Sequence, residues 1–342
     1  MNVGILGFGR IGNEHARWLA QCDRARAVAA FDPTPQRRSL AESLGLRGFD
    51  SAESLLNDAS IDAVLISTPT SMHFDDASKA LAAKKHVMVE KPVALTHDEA
   101  AQLAALSRSA GKTISVFQNR RWDIDYLTVK SAIDSDVLGR VFNVESRLGQ
   151  WASCVGPAAK EWRPNWRNES AFGGGGLYDW GSHFVDQMLL LMLPAKPQAV
   201  FAQLRGNVWS SDADCDDFAR VCINFDNGAT GLVEINTTTT RPLPRWQIDG
   251  ERGSAQSPFS LEFHTREWAK LKFTPAPDGG ERDVPLAPRG LSESQIWEQF
   301  AAACEEDCEP AVTIESVLPT MRLLDAARES SRTRRAIELL GS

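Results

Sequence analysis

The chain has 342 residues, of which 43% are hydrophobic and 24% charged. These values are typical of globular proteins and exclude a disordered or fibrous chain. The 37 basic and 45 acidic residues give a formal net charge of −8 with no long basic run, so nucleic acid is not an expected partner. The length is about twice that of a typical domain, which predicts two domains sharing one cleft.

Neither the start of the chain nor its cysteines point to secretion. The first apolar strand begins at once, without the basic and apolar segments of a signal peptide. The longest apolar stretch, near 188–193, is far too short to span a bilayer. The six cysteines are scattered without zinc-type spacing, so we expect reduced thiols, no metal and a cytoplasmic location.

Short apolar runs alternate with amphipathic patterns up to about residue 120. The predicted strands are 3–6, 27–31, 63–66, 86–89 and 113–117, and the predicted helices are 12–21, 35–43, 51–57, 74–83 and 96–110. The last helix opens with Thr96 and Glu99, the spacing of a capping box. This alternation indicates βαβ units, and therefore an α/β domain with a doubly wound parallel sheet over residues 1–120.

The pattern changes after residue 120. Alternating strands are predicted at 141–146, 219–225 and 230–237, and Asn227-Gly228 between the last two supplies the positive φ angles of a tight hairpin. Helices are predicted at 292–304 and 316–330. We therefore predict a second, α+β domain over 121–342 with an open, mostly antiparallel sheet, whose terminal helices are free to pack back on the first domain.

The segment Gly7-Phe8-Gly9-Arg10-Ile11-Gly12 joins the first predicted strand to the first helix. In this context a G-x-G-x-x-G turn predicts dinucleotide binding, because its glycines allow a tight turn, close approach of a pyrophosphate, and close packing of helix on strand. The alternative is a glycine-rich turn without a ligand. The segment favours a Rossmann domain with a cofactor on the turn.

Asp32 ends the second predicted strand, about twenty residues after the glycine turn. A carboxylate at this place can accept hydrogen bonds from the ribose hydroxyls of the cofactor and would repel a 2′-phosphate. NAD is therefore preferred. NADP stays possible, because Arg37 and Arg38 lie close enough in sequence to pair with a phosphate.

Two further segments follow strands at the carboxyl edge of the predicted sheet, where such sheets bind ligands. Thr68-Pro69 and His73 follow the third strand, with a helix cap and turn as the alternative role. Glu90-Lys91-Pro92 follows the fourth, and the proline restricts Lys91 to extended geometry. Taken alone, Lys91 is better explained as a surface lysine.

The second half carries one dense polar cluster, after the glycine run 173–176. If residues 177–187 are helical, Asp179 and His183 project from one face, which also carries Asp186. The alternative is that Asp179 and His183 form an exposed pair on the helix surface or are part of a metal-binding site. The apolar neighbours favour a catalytic role, because polar side chains that are buried among apolar ones are concentrated at functional sites.

Together these features resemble the glucose-fructose oxidoreductase and inositol dehydrogenase family, Gfo/Idh/MocA, over almost the whole chain. The matching residues are the turn at 7–12, Asp32, Thr68-Pro69 with His73, Glu90-Lys91-Pro92, Asn119-Arg120-Arg121, and the glycine run with Leu177, Asp179, Gly181 and His183. The sequence of residues 178–187 is most similar to the corresponding motif of the branch that contains scyllo-inositol dehydrogenases. That branch often uses NADP, so Asp32 is a departure from it.

The resemblance implies hydride transfer between a secondary hydroxyl of a sugar, inositol or related polyol and the nicotinamide. Lys91, Asp179 and His183 would be the catalytic set, with His183 as general base and Lys91 stabilising the developing alkoxide. The implied cofactor contacts are Gly7, Phe8, Gly9, Arg10, Ile11, Gly12, Asp32, Arg37, Thr68, Pro69, His73, Glu90, Lys91 and Asn119. The implied substrate contacts are Arg121, Trp166, Arg167, Asp179 and His183.

Three points stay open on the sequence. The loop 161–167, with Trp166 and Arg167, is either a polyol-binding loop or a packed surface loop. An NAD-assisted glycosidase that oxidises its substrate transiently, and a non-catalytic nucleotide-sensing relative, are alternative functions. The resemblance also implies a homodimer or homotetramer formed through the sheet of the second domain.

Overall fold

The computed structural model describes residues 1–154, 166–209, 215–259, 267–277, 279–306 and 308–339. Within these ranges the helices are α1 (Arg10–Leu19), α2 (Pro35–Ser43), α3 (Ala52–Leu56), α4 (Thr70–Ala82), α5 (His97–Ala110), α6 (Ile124–Asp134), α7 (Ser182–Met192), α8 (Glu293–Glu305) and α9 (Leu318–Thr333). None of the helices in the described part of the chain has both the length and the apolar character needed to cross a bilayer.

The first sheet is the parallel sheet predicted for the N-terminal domain. Its described strands are β1 (Asn2–Leu6), β2 (Arg26–Phe31), β3 (Arg47–Phe49), β4 (Ala63–Ile66), β5 (His86–Val89) and β6 (Ile114–Val116). They lie in the order β3-β2-β1-β4-β5-β6, and every pair is parallel. This order reverses at β1 and β4, which creates the ligand-binding crevice of a Rossmann fold at their carboxyl ends.

The second sheet is mostly antiparallel, as predicted. Its described strands are β7 (Val141–Gly149), β8 (Pro197–Arg205), β9 (Phe218–Phe225), β10 (Thr230–Asn236), β11 (Trp246–Gly250), β12 (Gly253–Gln256), β13 (Lys272–Pro275), β14 (Arg282–Asp283) and β15 (Ile337–Glu338). They lie in the order β14-β13-β12-β11-β7-β10-β9-β8-β15, with one parallel pair, β7 with β10. β9 and β10 form the hairpin predicted at Asn227-Gly228.

α7 and α9 cover one face of the second sheet, because their apolar side chains join the same core as the inward residues of the strands. α8 packs instead on the first domain. Its Ile296, Trp297 and Phe300 share a second core with Ile5 and Phe8 at the start of the chain. The C-terminal part of the chain therefore supports the cofactor-binding half as well as its own sheet.

Candidate active site

The glycine turn has the shape that a dinucleotide requires. Gly7 has a φ of +87°, and a Cβ there would stand 2.7 Å from the carbonyl oxygen of Ser67. At Gly12 a Cβ would stand 2.2 Å from the carbonyl oxygen of Gly7, so helix and strand can pack closely only around glycine. At Gly9 a Cβ would meet no described atom within 4 Å, and no described side chain caps the N-terminus of α1. Gly9 therefore leaves open the space that a pyrophosphate would fill.

Asp32 is buried beside the turn, and its carboxylate holds two loops together. Oδ2 accepts the backbone N–H of Phe8 and Oδ1 that of Thr34, both at 2.9 Å. Each oxygen keeps a second lone pair, so contact with a ribose hydroxyl is still possible.

The predicted contact from Phe8 needs correction: its side chain is fully buried in the core and its N–H is already bound to Asp32. Arg37 lies at the start of α2, half-buried.

A cleft lies between the carboxyl edge of the first sheet and the second domain. Its empty volume, including the part that is open to solvent, is about 580 Å³. The predicted residues that line it from the first domain are Arg10, Ile11, Thr68, His73, Glu90 and Lys91, and from the second domain Trp166, Arg167 and Asp179. Nine predicted residues therefore converge from segments far apart in the sequence.

Lys91 and Asp179 are joined across this cleft. The Lys91 ammonium donates to the backbone carbonyl oxygen of Asp179 at 2.8 Å and to its Oδ1 at 3.2 Å. Arg167 adds a second positive charge, with its Nε 3.8 Å from the same Oδ1, and its guanidinium stacks over the Trp166 ring at 4.3 Å. Burial opposes ionisation of Asp179, but the charges of Lys91 and Arg167 hold its pKa below the usual range. Asp179 is therefore an ionised partner of Lys91.

Asp179 lies in a π-helical turn, Leu177–Gly181, that runs into α7. The sequence predicts an ordinary helix here. The wider π-turn places Asp179 and His183 slightly less than one turn apart rather than slightly more, and such turns are frequent at functional sites. His183 follows on the first turn of α7, 3% exposed and outside the residues that line the cleft.

A buried carboxylate supports the start of this turn. Asp216 Oδ2 accepts the backbone N–H of Leu177 at 2.8 Å. Gly175 adopts a φ of +111°, and a Cβ there would stand 2.3 Å from Asp216 Oδ1, so the glycine run makes room for the carboxylate. Burial raises the pKa of Asp216 to about 7.

His73 lines the cleft, but both of its ring nitrogens are engaged with the backbone. Nδ1 lies 2.8 Å from the carbonyl oxygen of Pro92 and Nε2 lies 2.9 Å from that of Thr68. Burial lowers the pKa of the ring, and these two oxygens oppose the effect. The Thr68 hydroxyl donates to Asp76 at 2.9 Å. His73 thus links the segments after β4 and β5, and its ring is almost fully buried.

The structure does not bring Arg121 to the cleft. Its guanidinium forms two hydrogen bonds with the buried Asp186, at 2.8 and 2.7 Å, and also donates to Ser316. Arg121 is paired, largely buried and outside the residues that line the cleft, so we omit it from the substrate set. Asn119 begins the short turn Asn119–Trp122 and lies outside the lining as well, as do Arg37 and Pro69. Residues 161–165 of the predicted substrate loop lie outside the described residues.

Sequence reasoning missed two residues behind Glu90. His15, on the buried face of α1, places Nε2 2.9 Å from Glu90 Oε1. Trp297 of α8 donates its indole N–H to His15 Nδ1 at 3.0 Å. A histidine three residues after Gly12 is the local signal that could have drawn attention to His15. Nothing in the sequence pairs it with a tryptophan 282 residues away.

Comparisons with known proteins support the same two-domain fold, with a Rossmann domain first. The family model described as "Oxidoreductase family, NAD-binding Rossmann fold" matches residues 1–118, and the model described as "GFO/IDH/MocA C-terminal domain" matches residues 126–256. Together the two models cover well over half of the chain. They include both Lys91 and Asp179.

Two relatives and one solved structure illustrate the similarity. The uncharacterized oxidoreductase YdgJ of Escherichia coli is 34% identical over 62% of this chain, a match that spans 60% of YdgJ. The scyllo-inositol 2-dehydrogenase (NADP(+)) IolW of Bacillus subtilis is 26% identical over 99% of this chain and 96% of its own. An NAD-binding protein from Listeria innocua superposes with a TM-score of 0.86 at 29% identity, over 98% of this chain and 96% of that one. The chain therefore belongs to the Gfo/Idh/MocA family of oxidoreductases and carries its NAD-binding Rossmann fold.

Proposed function

We propose that the protein is a dehydrogenase that oxidises a secondary hydroxyl of a sugar, inositol or related polyol, with NAD preferred over NADP. The observation that carries the proposal is the placement of the Lys91 ammonium on Asp179, inside the cleft and at the sheet edge next to the glycine turn. When bound, the nicotinamide cofactor supplies the acceptor for the hydrogen that leaves the substrate carbon.

Lys91 is suited to bind the reacting oxygen. An ammonium has three N–H donors, and the two described contacts with Asp179 use two of them. The third is left for a substrate hydroxyl. A fixed positive charge at this oxygen favours the alkoxide character that develops as the carbon-bound hydrogen leaves, and one such donor typically contributes about 10²–10³ in rate.

Asp179 and His183 complete the proposed catalytic set. Ionised Asp179 places a negative charge beside the Lys91 ammonium, and removing Lys91 would leave this buried carboxylate with Arg167 as its main remaining described cation. His183 is proposed as the general base that takes the hydroxyl proton, because an imidazole exchanges protons near neutral pH. Its position, four residues after Asp179 on the same continuous helix, supports this role.

Two features support the substrate class and the cofactor preference. Arg167 and Trp166 line the cleft as a guanidinium stacked on an indole ring, the two kinds of group that bind polyols. The scyllo-inositol dehydrogenase among the relatives acts on such a compound. That relative uses NADP(+), whereas here the fixed carboxylate of Asp32 favours a free 2′-hydroxyl and hence NAD.

We also propose a homodimer or homotetramer that assembles on the open face of the second sheet. β8 directs Phe201 outward, where it is 40% exposed, while the neighbouring Val200 and Ala202 are buried. Burying such an aromatic ring against a second copy would be favourable.

A second candidate function is a reaction with transient oxidation and no net redox change. One relative, at 24% identity, is the 2,7-anhydro-N-acetylneuraminate hydratase of Escherichia coli, and hydration leaves the substrate at the same oxidation level. The test incubates the protein with inositols, hexoses, sugar acids and glycosides, each with NAD or NADP. Net NADH from a free polyol supports the dehydrogenase. Bond cleavage or hydration without net NADH refutes it in favour of the second candidate.

A further inference from the structure

The ring of His15 is buried between helix α8, from the C-terminal part of the chain, and the segment that follows β5. It is fully buried on α1, with its two nitrogens facing Trp297 of α8 on one side and Glu90 on the other. Phe117 and Trp18 pack edge-on against the ring, with centroids at 4.3 and 4.8 Å, and so fix its plane.

The partner of Nδ1 determines the tautomer. An indole N–H donates hydrogen bonds and cannot accept them, so Nδ1 must carry the lone pair. The single proton of the neutral ring then lies on Nε2, where it is donated to Glu90 Oε1 at 2.9 Å. Trp297 thereby selects one of the two neutral forms of His15.

Glu90 connects the His15 ring to the backbone of Lys91. While Oε1 accepts from His15, Oε2 accepts the backbone N–H of Lys91 at 3.1 Å. Burial alone would raise the pKa of Glu90, but the hydrogen bond from His15 and the neighbouring charges hold it below its usual range. A carboxylate held from both sides fixes the backbone of Lys91, and with it the origin of the lysine side chain.

We propose that Trp297 and His15 are positioning residues for Lys91, linking helix α8 through Glu90 to the reacting ammonium. This inference rests on the catalytic role proposed for Lys91. Without the indole donor, the ring has two ways to change. It can move its proton to Nδ1, which turns a lone pair toward the Glu90 carboxylate, or it can take up a second proton and become a cation beside it.

The second change makes activity depend on pH, so the groups around the ring matter. Glu90 is the charged group in contact with it, and Lys91 and His73 face Glu90 from the other side. The aromatic side chains that pack on the ring do not titrate: Trp18 from α1, Phe117 after β6, and Trp297 from α8.

The first experiment reads the tautomer directly, without cofactor or substrate. Long-range ¹H–¹⁵N spectra of the six histidines, assigned for His15, show which ring nitrogen is protonated in the wild type and in Trp297→Phe, which keeps the ring but lacks the N–H. We expect an Nε2–H form in the wild type that is lost in the variant, together with a shift of the Lys91 backbone amide. Trp18→Phe, which removes an indole that packs on the same ring, should leave both signals in place. An Nδ1–H wild type, or a Lys91 amide that does not move in Trp297→Phe, overturns the proposal.

The second experiment measures turnover across pH. For Trp297→Phe we expect kcat to fall by about 10-fold, in keeping with the cost of a small misplacement, with KM for the alcohol little changed and an added loss of activity at acidic pH. His15→Gln can donate to Glu90 without titrating, so Trp297→Phe/His15→Gln should lose that acid limb. A Trp297→Phe profile parallel to that of the wild type contradicts the proposal. If the wild type oxidises no alcohol, the proposed function fails, and the tautomer and the Lys91 amide still decide this inference.

Discussion

The ammonium nitrogen of Lys91 lies 2.8 Å from the backbone carbonyl oxygen of Asp179, so a residue of the cofactor-binding domain is bonded to the main chain of the other domain. This bond does not depend on the ionisation of Asp179. The lysine is therefore aimed by the π-helical turn itself, and the carboxylate adds charge to an arrangement that the backbone already defines.

Removal of the ammonium should affect turnover far more than cofactor binding. For Lys91→Ala we expect kcat to fall by about 10²-fold or more, the loss typical of one positioned donor, while NADH binding followed by fluorescence is largely retained. Lys79→Ala, on an exposed position of α4, serves as the control. Near wild-type turnover in Lys91→Ala would remove Lys91 from the catalytic set.

Charge and hydrogen bonding at Asp32 can be separated by two substitutions. Asp32→Asn removes the charge but keeps one acceptor for the backbone N–H groups of Phe8 or Thr34, whereas Asp32→Ala removes both. We expect both variants to lower the ratio of kcat/KM for NAD to that for NADP by about 10-fold, or 1.4 kcal/mol. The alanine should also lose about 1–3 kcal/mol of stability for each of the two N–H groups left unpaired, and the asparagine the same for one of them. An unchanged cofactor ratio in both variants argues against the ribose contact.

Two glycines of the turn should respond in opposite ways to the same added methyl group. At Gly9 a Cβ meets no described atom, so Gly9→Ala should fold with a stability within about 0.5 kcal/mol of the wild type and lose cofactor affinity. At Gly12 the Cβ would stand 2.2 Å from a backbone oxygen, so Gly12→Ala should be destabilised by about 1–3 kcal/mol or more. Thermal unfolding and NADH titration of both variants provide the test; unaltered NADH affinity in Gly9→Ala would contradict a pyrophosphate at that place.

Asp216 should make stability depend on pH in an unusual direction. Its folded pKa of about 7 lies above the ordinary value of 3.8, so the folded state binds the proton more tightly than the unfolded state. Its contribution is fully present below about pH 4 and is lost as pH rises through 7. Asp216→Asn should therefore gain stability relative to the wild type between pH 5 and pH 8, as measured by urea unfolding. A constant difference between the two proteins over this range would show that Asp216 does not titrate there.

The ion pair of Arg121 with Asp186 should matter for folding and not for substrate binding. The side chains are 11% and 2% exposed, and breaking such a pair typically costs about 3–5 kcal/mol. We expect Arg121→Met to show this loss in urea unfolding, with KM for the alcohol unchanged. Because Arg121→Met/Asp186→Leu leaves no unpaired charge, it should recover part of the stability. A large rise in KM in a folded Arg121→Met would return Arg121 to the substrate site.

The parts of the fold with strong local signals could be predicted. The glycine turn, the buried parallel strands and the Asn227-Gly228 hairpin all appear where their patterns place them. β3 was missed because its three residues, Arg47–Phe49, include no buried side chain and show no alternation. The strands β11 to β14 were missed because they have two to five residues each, too few to establish a period.

The site was predictable as a set of residues but not as a set of contacts. Lys91 and Asp179 follow from motifs, yet the bond between them joins segments 88 residues apart. The π-turn was not foreseeable, because its five residues, Leu177–Gly181, are too few to show a period of their own. Arg121 was assigned to substrate because an arginine in a motif gives no indication that a buried aspartate, Asp186, will pair with it.

The packing of α8 on the first domain has a consequence for how the protein is made. Ile296, Trp297 and Phe300 complete a core that contains Ile5 and Phe8, yet a ribosome synthesises them nearly 300 residues later. Until α8 emerges, the nascent first domain has an uncovered apolar patch around α1, where partly folded chains are prone to associate. The cofactor-binding half is therefore synthesised long before the helix that completes its packing.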